Sequence, residues 1–255
     1  YRLMVKLFKK YLQTHQYPNF DLRAVLFDMD GVLYDSMPDH ASSWQQTMEE
    51  FGFKTTKPEE FYLHEGRPGI FTINIIFQRE LGRDATDEEI EKVYGRKTEL
   101  FSQYNSRKIM PGAREVLEMV KSYGLLPVLV TGSGQPSLLD KLDEDFPGIF
   151  TPDTMVTAFD VKFGKPHPEP FLIGLKKAGN LQPNQAIVIE NAPLGIESAH
   201  SAGIFVIAVN TGPLPDLALK EAGADLILDS MFTLKEKLPD IFSITQSIYN
   251  EVNIA

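Results

Sequence analysis

The sequence predicts an α/β protein: a doubly wound, mostly parallel, Rossmann-like sheet carrying an inserted all-helical domain. Three observations lead there. Short apolar runs, of the kind required by strands buried on both faces, recur along the chain. In its second half, helical patterns opened by Pro or closed by Gly alternate with those runs. Between the first run and the second lie about 70 residues with helical patterns and no convincing strand.

Taken in order, residues 1–16 place Leu3, Met4, Leu7, Phe8, Tyr11 and Leu12 at helical spacing among Arg2, Lys6, Lys9 and Lys10. Such a basic amphipathic helix can lie on a membrane. Packing against the domain or a partner chain is the plainer reading. The run 24–27 ends at Asp28 and is bounded by Gly31, so it reads as a buried strand entering a loop. From there to residue 107 the pattern is helical. His40, Trp44, Met48 and Phe51 mark one face, and 70–81 is strongly apolar and stops at Gly82. Thr86 with Glu89 forms a capping box before Ile90, Val93, Lys97, Leu100, Phe101 and Tyr104. Further strands are expected at 127–130, 155–158, 186–189, 204–209 and 225–228. Helices are expected at 111–123, 170–178, 193–202 and 217–222. The expected division is a core of 1–36 with 108–255 and a helical lid of 37–107, hinged near 36–37 and 105–110.

Composition narrows the function classes. The 255 residues are 43% hydrophobic and 24% charged, with a formal net charge of -10. That suits a soluble globular protein and argues against nucleic acid or an anionic membrane as the main partner. The absence of cysteine excludes disulfides, thiolate metal sites and a cysteine nucleophile. No apolar run approaches the length of a membrane span, and residues 1–16 lack the cleavage site of a secretory signal. A cytoplasmic monomer is the expectation.

In an open parallel sheet, ligands bind beyond the carboxyl ends of the strands. The first strand ends in FDMDG, where Asp28 and Asp30 leave an extended segment two residues apart and Gly31 allows a sharp turn. Paired carboxylates cannot both ionise cheaply, which suits one as nucleophile or metal ligand and the other as acid or base. A calcium loop fails on position: Gly31 comes too early, Asp39 stands where Glu belongs, and a strand precedes instead of a helix. The second strand ends in VTGSGQ, offering the Thr131 hydroxyl and backbone amides at Gly132, Ser133 and Gly134 for an anion. No Walker lysine follows, and Ser137 stands where a dinucleotide fingerprint needs its last Gly. In KFGKPHPEP, Lys165 is held between Gly164 and Pro166, so it can present a fixed charge to phosphate. Four apolar residues deliver Glu190 and Asn191, both hard oxygen donors suited to Mg²⁺. Asn191 reads equally well as a helix cap before Pro193. Together these strand ends supply a nucleophile, an acid/base, phosphate binding and a metal site, which is what phosphoryl transfer requires.

The order DMDG, VTGS, GKP and IEN resembles the four motifs of the haloacid dehalogenase superfamily, over nearly the whole chain after about residue 20. The helical insert resembles the cap of the β-phosphoglucomutase-like subgroup, and within it the chain looks most like bacterial inorganic pyrophosphatases. The resemblance implies that Asp28 attacks phosphorus. It implies that Asp30 handles the proton and lends its backbone carbonyl to Mg²⁺. Thr131 and Lys165 would hold the phosphoryl group, while Asp28, Glu190 and Asn191 complete the metal site. It also suggests a cis Lys165–Pro166 bond. Three departures matter. Asn191 stands where the family usually has Asp. In the cap loop, Glu65 precedes Gly66 where the mutases carry Lys. Gly69 stands where they carry Arg. His40 and Lys97, by contrast, fall where the mutase cap also has His and Lys.

The expected function is therefore a Mg²⁺-dependent phosphohydrolase working through an aspartyl-phosphate on a small phosphorylated substrate, with inorganic pyrophosphate first. Glu65, His40 and Lys97 are the expected cap contacts. A β-phosphoglucomutase or a broader sugar-phosphate phosphatase is the alternative. A non-catalytic binding module is disfavoured, since binding alone does not need both Asp28 and Asp30.

Overall fold

The computed structural model describes residues 1–134 and 138–254, so Gln135 and Ser137, which the sequence reading mentions, lie outside the described residues. Six strands, β1 (Ala24–Phe27), β2 (Leu126–Val130), β3 (Met155–Val156), β4 (Ala186–Glu190), β5 (Phe205–Val209) and β6 (Leu226–Leu228), form one sheet in the order β3-β2-β1-β4-β5-β6. Every pairing is parallel, as the apolar runs require.

Alternation along each strand feeds two cores. Val25, Phe27, Leu129, Ile187, Ile189, Phe205 and Ile207 face one side, and Leu26, Val128, Val130, Val188 and Val206 face the other. The first side is covered by α1 (Arg2–His15), α6 (Ala113–Ser122), α7 (Leu138–Asp145) and α11 (Met231–Ile254). The second is covered by α8 (Glu169–Lys177), α9 (Pro193–Ser201) and α10 (Asp216–Ala222). Residues 1–16 thus pack on the domain, with Met4, Phe8 and Tyr11 buried in its core. No helix among the described residues is long and apolar enough to cross a membrane.

The helical insert consists of α2 (Met37–Glu50), α3 (Glu60–Leu63), α4 (Gly69–Leu81) and α5 (Asp87–Tyr104). It has its own core, built on Met48, Phe53, Phe61, Ile73, Ile76, Phe77 and Val93. The Thr86–Glu89 capping box opens α5. Two short extended segments connect insert and sheet: Tyr34 bridges Ile109, and the Asp35 amide donates to the Lys108 carbonyl at 2.8 Å.

The structure corrects the sequence reading in two places. The strand expected at 155–158 ends at Val156, because the Thr157 hydroxyl accepts from the Phe159 amide and turns the chain into a 3₁₀ segment. The helices α3 and α11 were not expected, and α7 was expected only as a helix of unstated bounds after the second strand.

Candidate active site

The carboxyl ends of β1, β2 and β4 are adjacent, and the crevice they open is where the singled-out side chains meet. Asp28 follows β1 and is anchored by its amide to the Ile189 carbonyl. Gly31 has φ of +83°, which turns the chain back so that its amide meets the Tyr34 carbonyl. A Cβ on Gly31 would overlap the Asn191 side chain, so the Asp loop and the end of β4 are fitted to each other. Thr211, just past β5, donates its hydroxyl to the Gly31 carbonyl at 2.7 Å.

Lys165 is the hub. It follows Gly164 and precedes a cis peptide to Pro166. Its ammonium donates to Asp28 Oδ1 at 2.9 Å, to Glu190 Oε1 at 2.7 Å and to the Val130 carbonyl at 3.1 Å. All three side chains are buried. Although burial opposes it, Asp28 and Glu190 hold the Lys165 ammonium well above its usual pKa. Burial pushes the Asp28 carboxyl up against the pull of Lys165, and burial followed by Asp28 pushes Glu190 up to about 8.

Asn191 does not cap α9; Ala192 holds that position without a side-chain bond. Instead Asn191 Nδ2 donates to Glu65 Oε2 at 3.1 Å, joining the cap to the core. Glu65 Oε1 and Asn191 Oδ1 are both buried with no hydrogen-bond partner. Burial, then the proximity of Asp28, Glu190 and Asp30, raises the Glu65 carboxyl well above the ordinary range. The adjoining Gly66 has φ of +86°, and a Cβ there would lie 3.1 Å from Lys165 Cδ. The cap loop therefore rests directly on the lysine stem.

Asp30 faces the cap. Its Oδ1 accepts from Ser36 Oγ at 2.5 Å and lies 3.3 Å from His40 Nε2. Lys97 Nζ lies 2.8 Å from His40 Nδ1, and the imidazole stacks on Phe101 at 3.8 Å. Burial pushes the Asp30 carboxyl up, yet His40, Ser36 and Lys97 outweigh it and hold it down at about 2. Burial lowers Lys97 to about 8, against Asp30. Thr131 is buried at the end of β2, its Oγ1 accepting from the Ser133 amide at 3.1 Å, and Gly132 lies beneath the Gly66 carbonyl of the cap.

The structure thus gathers Asp28, Lys165 and Glu190 in one hydrogen-bonded group. Asn191 and Glu65 form a second group, and Asp30, His40 and Lys97 a third, with Thr131, Gly132 and Ser133 beside the first. Sequence reasoning passed over Ser36 and Thr211. Thr211 stands just past a strand end, the same signal that flagged Thr131. Among the described residues no three Asp, Glu or His side chains converge as a ready metal cage, since Lys165 stands between Asp28 and Glu190.

Comparison with known proteins gives the family and the fold. A family profile described as haloacid dehalogenase-like hydrolase matches residues 25–209. The phosphorylated carbohydrates phosphatase of Thermotoga maritima is 35% identical, over 80% of this chain and 92% of that one. Hexitol phosphatase A of Escherichia coli is 31% identical, over 82% and 91%. A solved structure from Bacteroides vulgatus, provisionally named a β-phosphoglucomutase, superposes with a TM-score of 0.89. It is 53% identical and covers 97% of this chain and 98% of its own. None of these three relatives is named a pyrophosphatase.

Proposed function

The chain belongs to the haloacid dehalogenase-like hydrolase family, as a phosphohydrolase or phosphotransferase of that kind, and from that premise we propose that it hydrolyses inorganic pyrophosphate through an aspartyl-phosphate at Asp28. The observation that carries the choice of substrate is Glu65: a cap carboxylate whose end is buried over the core, bonded to Asn191, with one oxygen unpartnered.

The chemistry follows from the contacts. Lys165 engages Asp28 Oδ1, which leaves Oδ2 outside that contact to attack phosphorus. Lys165 and the Thr131 hydroxyl, with the amides of Gly132 and Ser133, bind the phosphoryl oxygens. Asp30, turned toward the cap by Ser36 and His40, acts from its minor protonated form: it gives that proton to the leaving group and, now ionised and held so by His40 and Ser36, takes one back from the attacking water.

The residues also fit Mg²⁺. Asp28, Asp30, Glu65 and Glu190 crowd their charge around Lys165, and Asn191 Oδ1 is an unpartnered buried oxygen beside them. That is a hard, oxygen-only donor set with negative charge to spare. Asp28, Glu190, Asn191 and the Asp30 backbone carbonyl would hold the ion, which when bound neutralises charge on the phosphoryl group.

A sugar phosphate with a second anionic group would present it toward the cap, where Glu65, ionised once a bound cation offsets the neighbouring carboxylates, would repel it. Pyrophosphate is compact and travels with its own cation, whose bound water can donate to Glu65 Oε1. The second reading is a sugar- or polyol-phosphate phosphatase, or a phosphohexomutase, favoured by the names of the relatives above. Two variants test the first. Asp28→Asn is expected to abolish turnover of every substrate. Glu65→Ala is expected to lower kcat/KM for pyrophosphate by at least about tenfold, ~1.4 kcal/mol of transition-state stabilisation, with a much smaller effect on an aryl phosphate. Equal losses on both substrates favour the sugar-phosphate reading.

A further inference from the structure

We propose that Arg79, Glu60 and His64 form a strut inside the cap that positions the Glu65 carboxylate over the core, making His64 a positioning residue for substrate selection. The proposal rests on the selecting role assigned to Glu65 above. It concerns three residues that the core chemistry does not use.

The strut is continuous. Glu60 opens α3, and Arg79 lies in the last turn of α4. Arg79 grips the Glu60 carboxylate with two nitrogens, NH2 to Oε1 at 2.8 Å and NH1 to Oε2 at 3.1 Å. Its Nε donates to Thr55 Oγ1 at 2.9 Å, so the guanidinium is fixed on both edges. His64 Nε2 completes the set, 2.9 Å from Glu60 Oε2. The side chains of His64 and Glu60 are only 11% and 16% exposed, which shields the contact from water.

His64 is also the first residue of the turn that carries Glu65. The Arg67 amide donates to the His64 carbonyl at 2.9 Å, and Gly66 supplies the positive φ. The imidazole therefore ties the base of a four-residue turn to two cap helices. The side chain at position 65 projects from that base toward Asn191.

A tether is needed because the core holds Glu65 weakly. Among the described residues its one direct core hydrogen bond is from the Asn191 amide, and its Oε1 is buried with no hydrogen-bond partner. Unheld, a short flexible turn would swing its carboxylate out to water, where both oxygens find partners. The Arg79–Glu60–His64 chain opposes that movement without touching the substrate.

The test measures kcat/KM for pyrophosphate and for p-nitrophenyl phosphate, at saturating Mg²⁺, in the unmodified enzyme and five variants. His64→Ala is expected to lower the pyrophosphate value about tenfold while the aryl phosphate value moves less than about threefold. His64→Gln, which keeps a donor near the place of Nε2, is expected to recover most of the loss. Glu60→Gln is expected to follow His64→Ala. In a Glu65→Ala background, His64→Ala is expected to cost nothing further on pyrophosphate, since the group it positions is gone. Aryl phosphate turnover reports in each case that the core is folded. An equal loss on both substrates, no recovery in His64→Gln, or an undiminished His64→Ala effect in the Glu65→Ala background would overturn the strut. A Glu65→Ala variant that loses both activities alike overturns the substrate reading instead, and the two failures are distinct.

Discussion

At the scale of single residues, the site is legible in sequence where a charged group ends a buried strand. Asp28 and Glu190 each follow an uninterrupted apolar run, and a carboxylate delivered there has few structural uses. Lys165 is legible because Gly and Pro pin it. Ser36, Thr211 and the His64–Glu60 pair are not, because each is an ordinary residue type made important only by tertiary contact. Asp225 is another case. It stands before β6, accepts from the Val206 amide at 2.8 Å, and is raised by burial to about 6 against that bond and Lys10. The sign follows from an acid whose folded pKa exceeds its unfolded value of 3.8. The folded state then holds the proton more tightly, so this group favours folding as pH falls through about 6, and the benefit is complete near 3.8. At pH 8 its ionised form burdens the fold by on the order of 3 kcal/mol. Asp225→Asn, which keeps an acceptor for Val206, is expected to raise Tm at pH 8 and to lose that advantage progressively toward pH 4. An advantage that does not change with pH would show that Asp225 is not held in its protonated form.

At the scale of elements, the parallel sheet was readable because strands buried on both faces leave continuous apolar runs between Gly and Pro punctuation. The C-terminal α11 was not, because Pro239 reads as a helix stop and yet lies inside it. Its Met231, Leu234, Leu238, Ile241, Ile244 and Ile248 recur at helical spacing and are all buried, so packing overrides the local signal. The short α3 carries too little periodicity to show, and α7 too little to be given bounds. The N-terminal α1 was visible as amphipathic, but only the structure shows what its apolar face meets. Phe8 is fully buried, stacked on Phe205 at 4.1 Å and edge-on to Phe20 at 5.4 Å. Phe8→Ala is expected to destabilise the protein by about 3–5 kcal/mol in denaturant unfolding. Because Phe8 packs on Phe205, at the amino end of β5 and so at the opposite end of the strands from the crevice, kcat/KM at low temperature is expected to stay unchanged. A cost below about 1 kcal/mol would mean that α1 is not part of the cooperative core.

At the scale of the whole molecule, the helical insert closes over a crevice whose carboxylates outnumber their cations. Substrate entry calls for the insert to swing on its two connecting segments, where Tyr34 meets Ile109 and Asp35 meets Lys108. The Asn191–Glu65 contact bridges the two bodies, so closure is sensitive to charge at that point. Asn191→Asp places a second carboxylate against Glu65 and is expected to open the insert in the absence of Mg²⁺. Solution scattering would show this as a larger radius of gyration that Mg²⁺ reverses, whereas an unchanged radius would mean that the contact does not govern closure. The proposed division of labour, with chemistry from the strand ends and selection from the insert, follows in outline from the order of motifs. The placement of Glu65 was not, since it depends on how a turn in the insert lies against β4. The measurement closest to the central claim is the kcat/KM of the unmodified enzyme for pyrophosphate beside β-glucose 1-phosphate and a hexitol phosphate, all at the same Mg²⁺ concentration. Pyrophosphate is expected to exceed both by at least about tenfold, and faster turnover of either sugar or polyol phosphate would contradict the account.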